Sequence, residues 1–322
     1  MPMLSLDGAT YELKPGESVL DALLRGNVRV AHSCRSGACQ SCLMRTSAGD
    51  IPAQAQQGLK PALKEQGYFL SCQLRPETDL NLQSAKGLEL ATTISSLELL
   101  TPTVLRVLLR TVQPFEYRAG QYLTLLRADG LARSYSIASL PATQELELHV
   151  RRVPNGQMSG WLFNEARPHD AVTIRGPAGD CFYTAGQPDQ PLLLAGTGTG
   201  LAPLLGICKD AITQGHRGPI HLYHGALNIT GLYGEAALSA LQHSCSTFAY
   251  HPVVLNGEPT EVLQCGALDK VILSTHTKLT GWRGFICGDP AIVQLLKKKF
   301  FLAGMASRDI AADAFVESAV IQ

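Results

Sequence analysis

The chain has 322 residues and a mass of 34.5 kDa, with 27 basic against 27 acidic side chains and a pI near 7.1. Zero net charge argues against a nucleic-acid partner, because displacing counterions from a phosphate backbone needs a surplus of Lys and Arg. No run approaches the roughly 18 apolar residues of a spanning helix, and Met1 to Leu13 lacks a basic segment followed by an apolar one, so neither membrane insertion nor export is expected. A cytoplasmic location follows, and there nine cysteines read as metal ligands or redox groups before disulfides.

In chain order, Leu4 to Leu6 and Ala9 to Leu13 flank Asp7-Gly8, which predicts a hairpin. Ser18 is the expected N-cap of a short helix carrying Val19, Leu20, Leu23 and Leu24, with Gly26 at its end. The next segment reads Cys34-x4-Cys39-x2-Cys42, with 29 residues between Cys42 and Cys72. That is the plant-type [2Fe–2S] spacing, in which one loop gives three thiolates and a fourth comes from elsewhere. Gly37 and Ala38 keep side chains out of the loop, so its N–H groups can turn toward sulfur. Four cysteines also bind zinc, but zinc ligands pair as knuckles, and Cys72 has no neighbouring cysteine.

Ser84 to Gly87 is a predicted linker. Beyond it, to Gln187, all nine basic residues are arginine. Val104 to Leu109, Tyr122 to Leu126, Leu146 to Val150 and Val172 to Ile174 are short strands punctuated by turn residues, the texture of an antiparallel barrel. Within it, Arg133-Ser134-Tyr135-Ser136 offers a guanidinium for a diphosphate, a ring for stacking and a hydroxyl for a ring nitrogen. The same tetrapeptide is equally a barrel strand with polar residues facing water. Pro154 to Leu162 is a turn opening a short helix, with Ser159 as expected N-cap and free N–H groups for an anion.

After Pro188 strands alternate with helices. Leu192 to Ala195 runs into Gly196-Thr197-Gly198-Thr199-Gly200 and then a helix through Pro203, a loop without bulk delivered to a helix start. Leu201 stands where a Rossmann fingerprint has its third glycine, and no G-K-[ST] follows. Further strands (Ile220 to Tyr223, Val253 to Leu255, Phe285 to Cys287) alternate with helices (Ala236 to Gln242, Ile292 to Phe301), which implies a doubly wound parallel sheet. Cys287-Gly288-Asp289-Pro290 falls at a strand end, where open parallel sheets bind ligands. A lone cysteine there is otherwise a small core residue. Lys297-Lys298-Lys299 reads as a solvated helix face before it reads as a dock for an acidic partner.

Taken together, the motifs resemble the iron–sulfur flavoprotein reductases of multicomponent bacterial oxygenases, within the ferredoxin-NADP reductase superfamily. Their order is similar to that in methane, phenol and benzoate oxygenase reductases and in the CDP-6-deoxy-glucoseen reductase of dideoxysugar synthesis. The resemblance covers nearly the whole chain. It implies a multidomain α+β and α/β fold: a β-grasp ferredoxin over 1–86, an antiparallel β-barrel FAD domain over 87–187 and a doubly wound NAD(P) domain over 188–322.

By the same resemblance, Cys34, Cys39, Cys42 and Cys72 would ligate [2Fe–2S]. Arg133, Tyr135 and Ser136 would meet the FAD diphosphate, ring and N5, and Gly156, Met158 and Ser159 would help hold the diphosphate. Gly196, Gly198, Thr199, Gly200 and Pro203 would receive the nicotinamide nucleotide. Cys287, Gly288, Asp289 and Pro290 would lie by the nicotinamide, with Ser136 and Cys287 in the catalytic roles. Phe315 would be the family's C-terminal aromatic, with seven residues after it. His224-Gly225-Ala226-Leu227-Asn228 carries no arginine for a 2′-phosphate, which favours NADH over NADPH; His224 is its one candidate clamp, or else structural. Electrons from NADH would pass through FAD and cluster to a terminal oxygenase from a monomeric reductase. The alternatives are a pyridoxamine-dependent deoxysugar dehydrase as acceptor, or a non-catalytic redox or nucleotide sensor.

Overall fold

The computed structural model describes residues 1–47 and 50–316. Its first sheet is built from β1 (Met3–Leu6), β2 (Ala9–Glu12), β3 (Leu43–Thr46), β4 (Tyr68–Leu70) and β5 (Leu80–Ser84), in the order β2-β1-β5-β3-β4. Asp7 and Gly8 take φ of 50° and 83°, the mirror-image turn that suits the twist of a two-residue hairpin. Helix α1 (Val19–Arg25) starts where expected: the Ser18 hydroxyl accepts from the Asp21 N–H at 3.2 Å and donates to its carboxylate at 2.6 Å. It buries Leu20 and Leu23 over the sheet, and β1 pairs parallel with β5 across the grasp. A short α2 (Pro61–Glu65) precedes β4.

The second sheet contains β6 (Glu89–Thr101), β7 (Val104–Thr111), β8 (Tyr122–Leu126), β9 (Ala132–Ser136), β10 (Leu146–Arg151) and β11 (Ala171–Ala178). Its order is β10-β7-β6-β11-β8-β9, antiparallel throughout, and an Ile137–Leu148 bridge closes it into a barrel. Strand β6 is not among the strands that the sequence predicts. Register shifts at Ile94/Ser96 and Leu99/Thr101 break its alternation, so no single period runs its length. Helix α3 (Gln157–Asn164) corrects another expectation, since its cap is Gly156 and not Ser159. Asn155 takes a left-handed φ of 57°, the chain turns early, and Ser159 falls inside the first turn. There its hydroxyl accepts from the Val153 N–H at 3.1 Å.

The third sheet is fully parallel: β12 (Leu192–Thr197), β13 (Ile220–Ala226), β14 (Phe248–Val254), β15 (Gln264–Cys265), β16 (Arg283–Gly288) and β17 (Ile310–Ala314), in the order β15-β14-β13-β12-β16-β17. Helices α4 (Leu201–Thr213), α5 (Glu235–Ser244), α6 (Leu268–Thr275) and α7 (Pro290–Leu302) cover its faces. On α7, Val293, Leu296 and Phe300 pack inward while Lys297 and Lys298 are exposed, a solvated face. Successive strands depart from β12 in opposite directions, so the β12/β16 boundary is the switch point, with Gly196 opposite Cys287. Among the described residues no helix is long and apolar enough to cross a membrane.

Candidate functional site

The cysteine loop, held between α1 and β3, arranges its sulfurs in two pairs. The Cys34 and Cys39 amides each point at the other's sulfur, both at 3.4 Å, and the Ser36 amide reaches Cys34 Sγ at 3.4 Å. Cys42 and Cys72 form the second pair, and the Gln73 side-chain amide donates to Cys72 Sγ at 3.3 Å. Within each pair one thiol hydrogen-bonds its partner, which pulls Cys34 and Cys72 below the ordinary thiol range and pushes Cys39 and Cys42 above it. Four thiols, with N–H donors aimed at the sulfurs of Cys34, Cys39 and Cys72, are a donor set that would fit a [2Fe–2S] cluster.

Beside this loop opens a cavity of about 790 Å³. The cysteine loop from His32 to Gln40 forms one wall, the barrel residues Arg133, Tyr135 and Ser136 a second, and Asp313 and Phe315 at the end of β17 a third. Arg133 donates to the carbonyls of Ala132 (2.7 Å) and His32 (3.4 Å), neither of which neutralises its charge. The turn at Gly156 also faces the cavity, and there a Cβ would crowd Ser159 Oγ and Val153, so the glycine lets the helix start approach. An unneutralised guanidinium, a helix start and a tyrosine ring on one wall match the parts of a dinucleotide: diphosphate and flat ring system.

Comparison with known proteins follows the same division. Residues 4–77 match the 2Fe-2S iron-sulfur cluster binding domain, 92–183 the oxidoreductase FAD-binding domain and 194–298 the oxidoreductase NAD-binding domain. The chain belongs to the iron–sulfur flavoprotein reductases. Over 95% of both chains the reductase is 32% identical to the ferredoxin–NAD(P)+ reductase component of the naphthalene 1,2-dioxygenase/salicylate 5-hydroxylase systems of a Ralstonia species. It is 33% identical to the aromatic O-demethylase reductase subunit of Amycolatopsis, covering 97% of this chain and 98% of that one. Among solved structures, an Amycolatopsis cytochrome P450 reductase superposes with a TM-score of 0.71 at 30% identity, covering 98% and 99% of the two chains. The reductase is thus an NAD(P)H oxidoreductase with domains for a [2Fe–2S] cluster, FAD and NAD.

In the reductase the predicted residues divide into two groups. Arg133, Tyr135, Ser136, Gly156, Met158, Ser159, Thr199 and Phe315 reach the cavity wall. Met158 packs its side chain into the barrel core, which leaves its backbone to face a ligand. Gly196, Gly198, Gly200, Pro203 and Gly288 shape the β12/β16 edge beside the cavity. A Cβ on Gly200 would land on the Cys287 carbonyl, and one on Gly288 would meet Thr197. Asp289 caps α7, accepting from the Ala291 and Ile292 N–H groups at 2.9 and 3.2 Å, and Pro290 opens that helix. Cys287 is buried with its sulfur 3.7 Å from that of Cys181, which lines the cavity, and burial pushes its thiol well up. It stays a neutral thiol. Phe315 is tied by its N–H to the Gly288 carbonyl at 2.8 Å; the residues after Val316 lie outside those described.

His224 is fully buried, bonds the Gly198 carbonyl at 3.1 Å and has its pKa lowered to about 4 by desolvation. A buried neutral imidazole committed to a loop carbonyl cannot clamp a 2′-phosphate, so its role is structural. Asp313 is a site residue that the sequence motifs do not single out. Ser136 Oγ donates to its carboxylate at 3.1 Å, and desolvation raises its pKa to about 6. The one signal for it is a single acid in the apolar run Ile310 to Phe315.

Proposed function

We propose that this reductase carries electrons from NADH through FAD and the [2Fe–2S] cluster to a terminal oxygenase or hydroxylase. The observation that carries the reading is the three-walled cavity, which puts the barrel motif, the ends of the nucleotide sheet and the cysteine loop within one space. A flavin supplies the exchange of one two-electron hydride for two single electrons, the number a [2Fe–2S] cluster takes at a time.

The chain's own residues bind, orient and exclude water. Arg133 and the amides at the start of α3 take the diphosphate, and Tyr135 backs the ring. Ser136 and Asp313 hold a proton at the wall where hydride arrives. Cys287 and Gly288, packed against Gly200, shape the nicotinamide end, while Asp289 and Pro290 anchor α7 behind it. Phe315, at the end of β17, would close the cavity wall beside the flavin. Cys34, Cys39, Cys42 and Cys72 ligate the cluster. Domain limits at 86/87 and 187/188 would separate the cluster ligands, the barrel motif and the nucleotide loop, and the Ser136–Asp313 bond joins the last two domains.

NADH is the preferred donor. No arginine follows β13, where Leu227 and Ile229 are 69% and 61% exposed, and His224 is unavailable to phosphate. We place the protein in the cytoplasm as a monomer, where reducing conditions keep thiols such as the five cysteines outside the cluster set unoxidised. A second acceptor class has support: the reductase is 28% identical over 94% of both chains to the CDP-6-deoxy-L-threo-D-glycero-4-hexulose-3-dehydrase reductase of Yersinia pestis.

Purified protein reconstituted with iron and sulfide is expected to show flavin and iron–sulfur absorbance, to bleach with NADH and to reduce cytochrome c. Cys42→Ser should abolish cytochrome c reduction yet spare NADH-driven bleaching of the flavin. Loss of both would contradict the path, and absence of bleaching in the unmutated protein would leave only the sensor reading.

A further inference from the structure

Ser134 lines the cavity between Arg133 and Tyr135, and its hydroxyl turns toward the cysteine loop. It donates to the Cys39 carbonyl at 3.0 Å and lies 3.4 Å from the Ser41 hydroxyl. The barrel register explains what stands beside it. Ser134 is opposite Thr124 across β9 and β8, and Thr124 is opposite Arg175 across β8 and β11. One polar side chain per strand therefore forms a row across three adjacent strands. Ser134 and Thr124 hydroxyls are 3.3 Å apart, and the Arg175 guanidinium donates to the Ser41 carbonyl at 3.2 Å. Tyr122, two residues before Thr124, donates its hydroxyl to the Ala38 carbonyl at 2.9 Å. Three barrel side chains thus close on the carbonyls of Ala38, Cys39 and Ser41, inside the loop that bears Cys34, Cys39 and Cys42.

Arg175 shows that this contact is built rather than incidental. It is only 8% exposed, and a buried guanidinium is costly unless it is paired; its two Nη groups find partners, while its buried Nε has none. Its second partner is Glu89 at 2.9 Å, the first residue of β6 and the first strand residue after the linker. One cation therefore ties the cysteine loop and the end of the linker to the same barrel face. Contacts between domains in one chain are commonly polar and mobile, so a buried charge committed to one such contact marks a defined docked position.

We propose that Arg175, Ser134 and Tyr122 form a latch that fixes the cysteine loop on the flavin barrel, acting as positioning residues for electron transfer from flavin to cluster. This rests on the reading that FAD fills the cavity and the cluster the four cysteines. The latch makes and breaks no covalent bond. It sets the distance and orientation across which each of the two electrons from NADH passes singly, the hydride proton being released to water.

The test uses the holoprotein and its Ser134→Ala and Arg175→Met variants, followed by hydrogen–deuterium exchange across residues 34–42 and by rapid mixing with NADH. Loss of one buried hydrogen bond is expected to speed exchange of the loop about tenfold. The paramagnetic signal of the reduced cluster should rise about tenfold more slowly, while Arg175→Met leaves flavin bleaching unchanged. Ser134→Thr, which keeps the hydroxyl, should restore both exchange and cluster reduction. Unchanged loop exchange and cluster reduction in both variants would overturn the latch. Flavin or cluster missing from the unmutated protein would instead overturn the reading beneath it.

Discussion

The Ser136 hydroxyl donates to the Asp313 carboxylate across 3.1 Å, joining residues 177 apart in sequence and fastening the barrel to the last strand of the parallel sheet. Desolvation raises Asp313 from 3.8 to about 6, against the opposing pull of that hydrogen bond. The folded form therefore keeps a proton that the unfolded chain releases, and the stability this confers is present at low pH and lost as pH rises through about 6. Asp313→Asn, uncharged throughout, should raise the Tm more at about pH 8 than at about pH 5. Hydride transfer is expected to change with pH near 6 as Asp313 titrates, and that dependence should flatten in the same variant, as stopped-flow bleaching across a pH series would show.

Gly200 meets the Cys287 backbone at the switch point so closely that no Cβ fits between them. Neither side is the flexible end of a side chain, so Gly200→Ala must part the glycine loop from the end of β16. Overpacking of this kind costs about 1–3 kcal/mol, expected as a lower urea midpoint. Nicotinamide binding should weaken with it, because the loop and the Cys287 strand no longer share one edge.

Arg133 brings an unneutralised charge to the cavity wall, where its guanidinium donates to the Ala132 and His32 carbonyls. Charge-assisted bonds to a diphosphate contribute about 1.5–3 kcal/mol, so Arg133→Ala should raise the Kd for FAD roughly 10- to 100-fold. Flavin recovered after gel filtration measures this. Cluster absorbance is expected to stay unchanged, since the hydrogen bond of Arg133 to that domain goes to the His32 carbonyl at 3.4 Å and not to a cysteine.

Leu227, directly after β13, is 69% exposed and bears on no core residue, so a longer polar side chain is tolerated there. Leu227→Arg places a guanidinium where a 2′-phosphate would extend. Its kcat/KM with NADPH should rise about tenfold, with that for NADH little altered. No change with NADPH would mean that the adenosine end lies elsewhere along the sheet edge.

Local chemistry is legible in the residue order. The Asp7-Gly8 turn and the Ser18 cap depend on residues within one or two turns of one another, and each appears as expected. The strand–glycine loop–helix texture after Pro191 is equally plain, because a parallel strand buried on both faces is a continuous apolar run. Strand β6 is not legible, because its bulges destroy alternation, nor is the true start of α3, which a left-handed Asn155 decides.

What the amino-acid order determined by itself was the set of parts: a cysteine trio with a distant fourth, a barrel motif and a nucleotide loop, each a pattern of residue types along the chain. Only the tertiary structure decided how those parts meet. Asp313 is an unremarked acid in sequence until β17 carries it to Ser136, and Ser134 is a neutral hydroxyl until three strands align it with Arg175 and the Cys39 carbonyl. The physical reason is that hydration and hydrogen-bond partners are properties of a location. A sequence names the groups, and folding decides which of them lose water and which groups they then face.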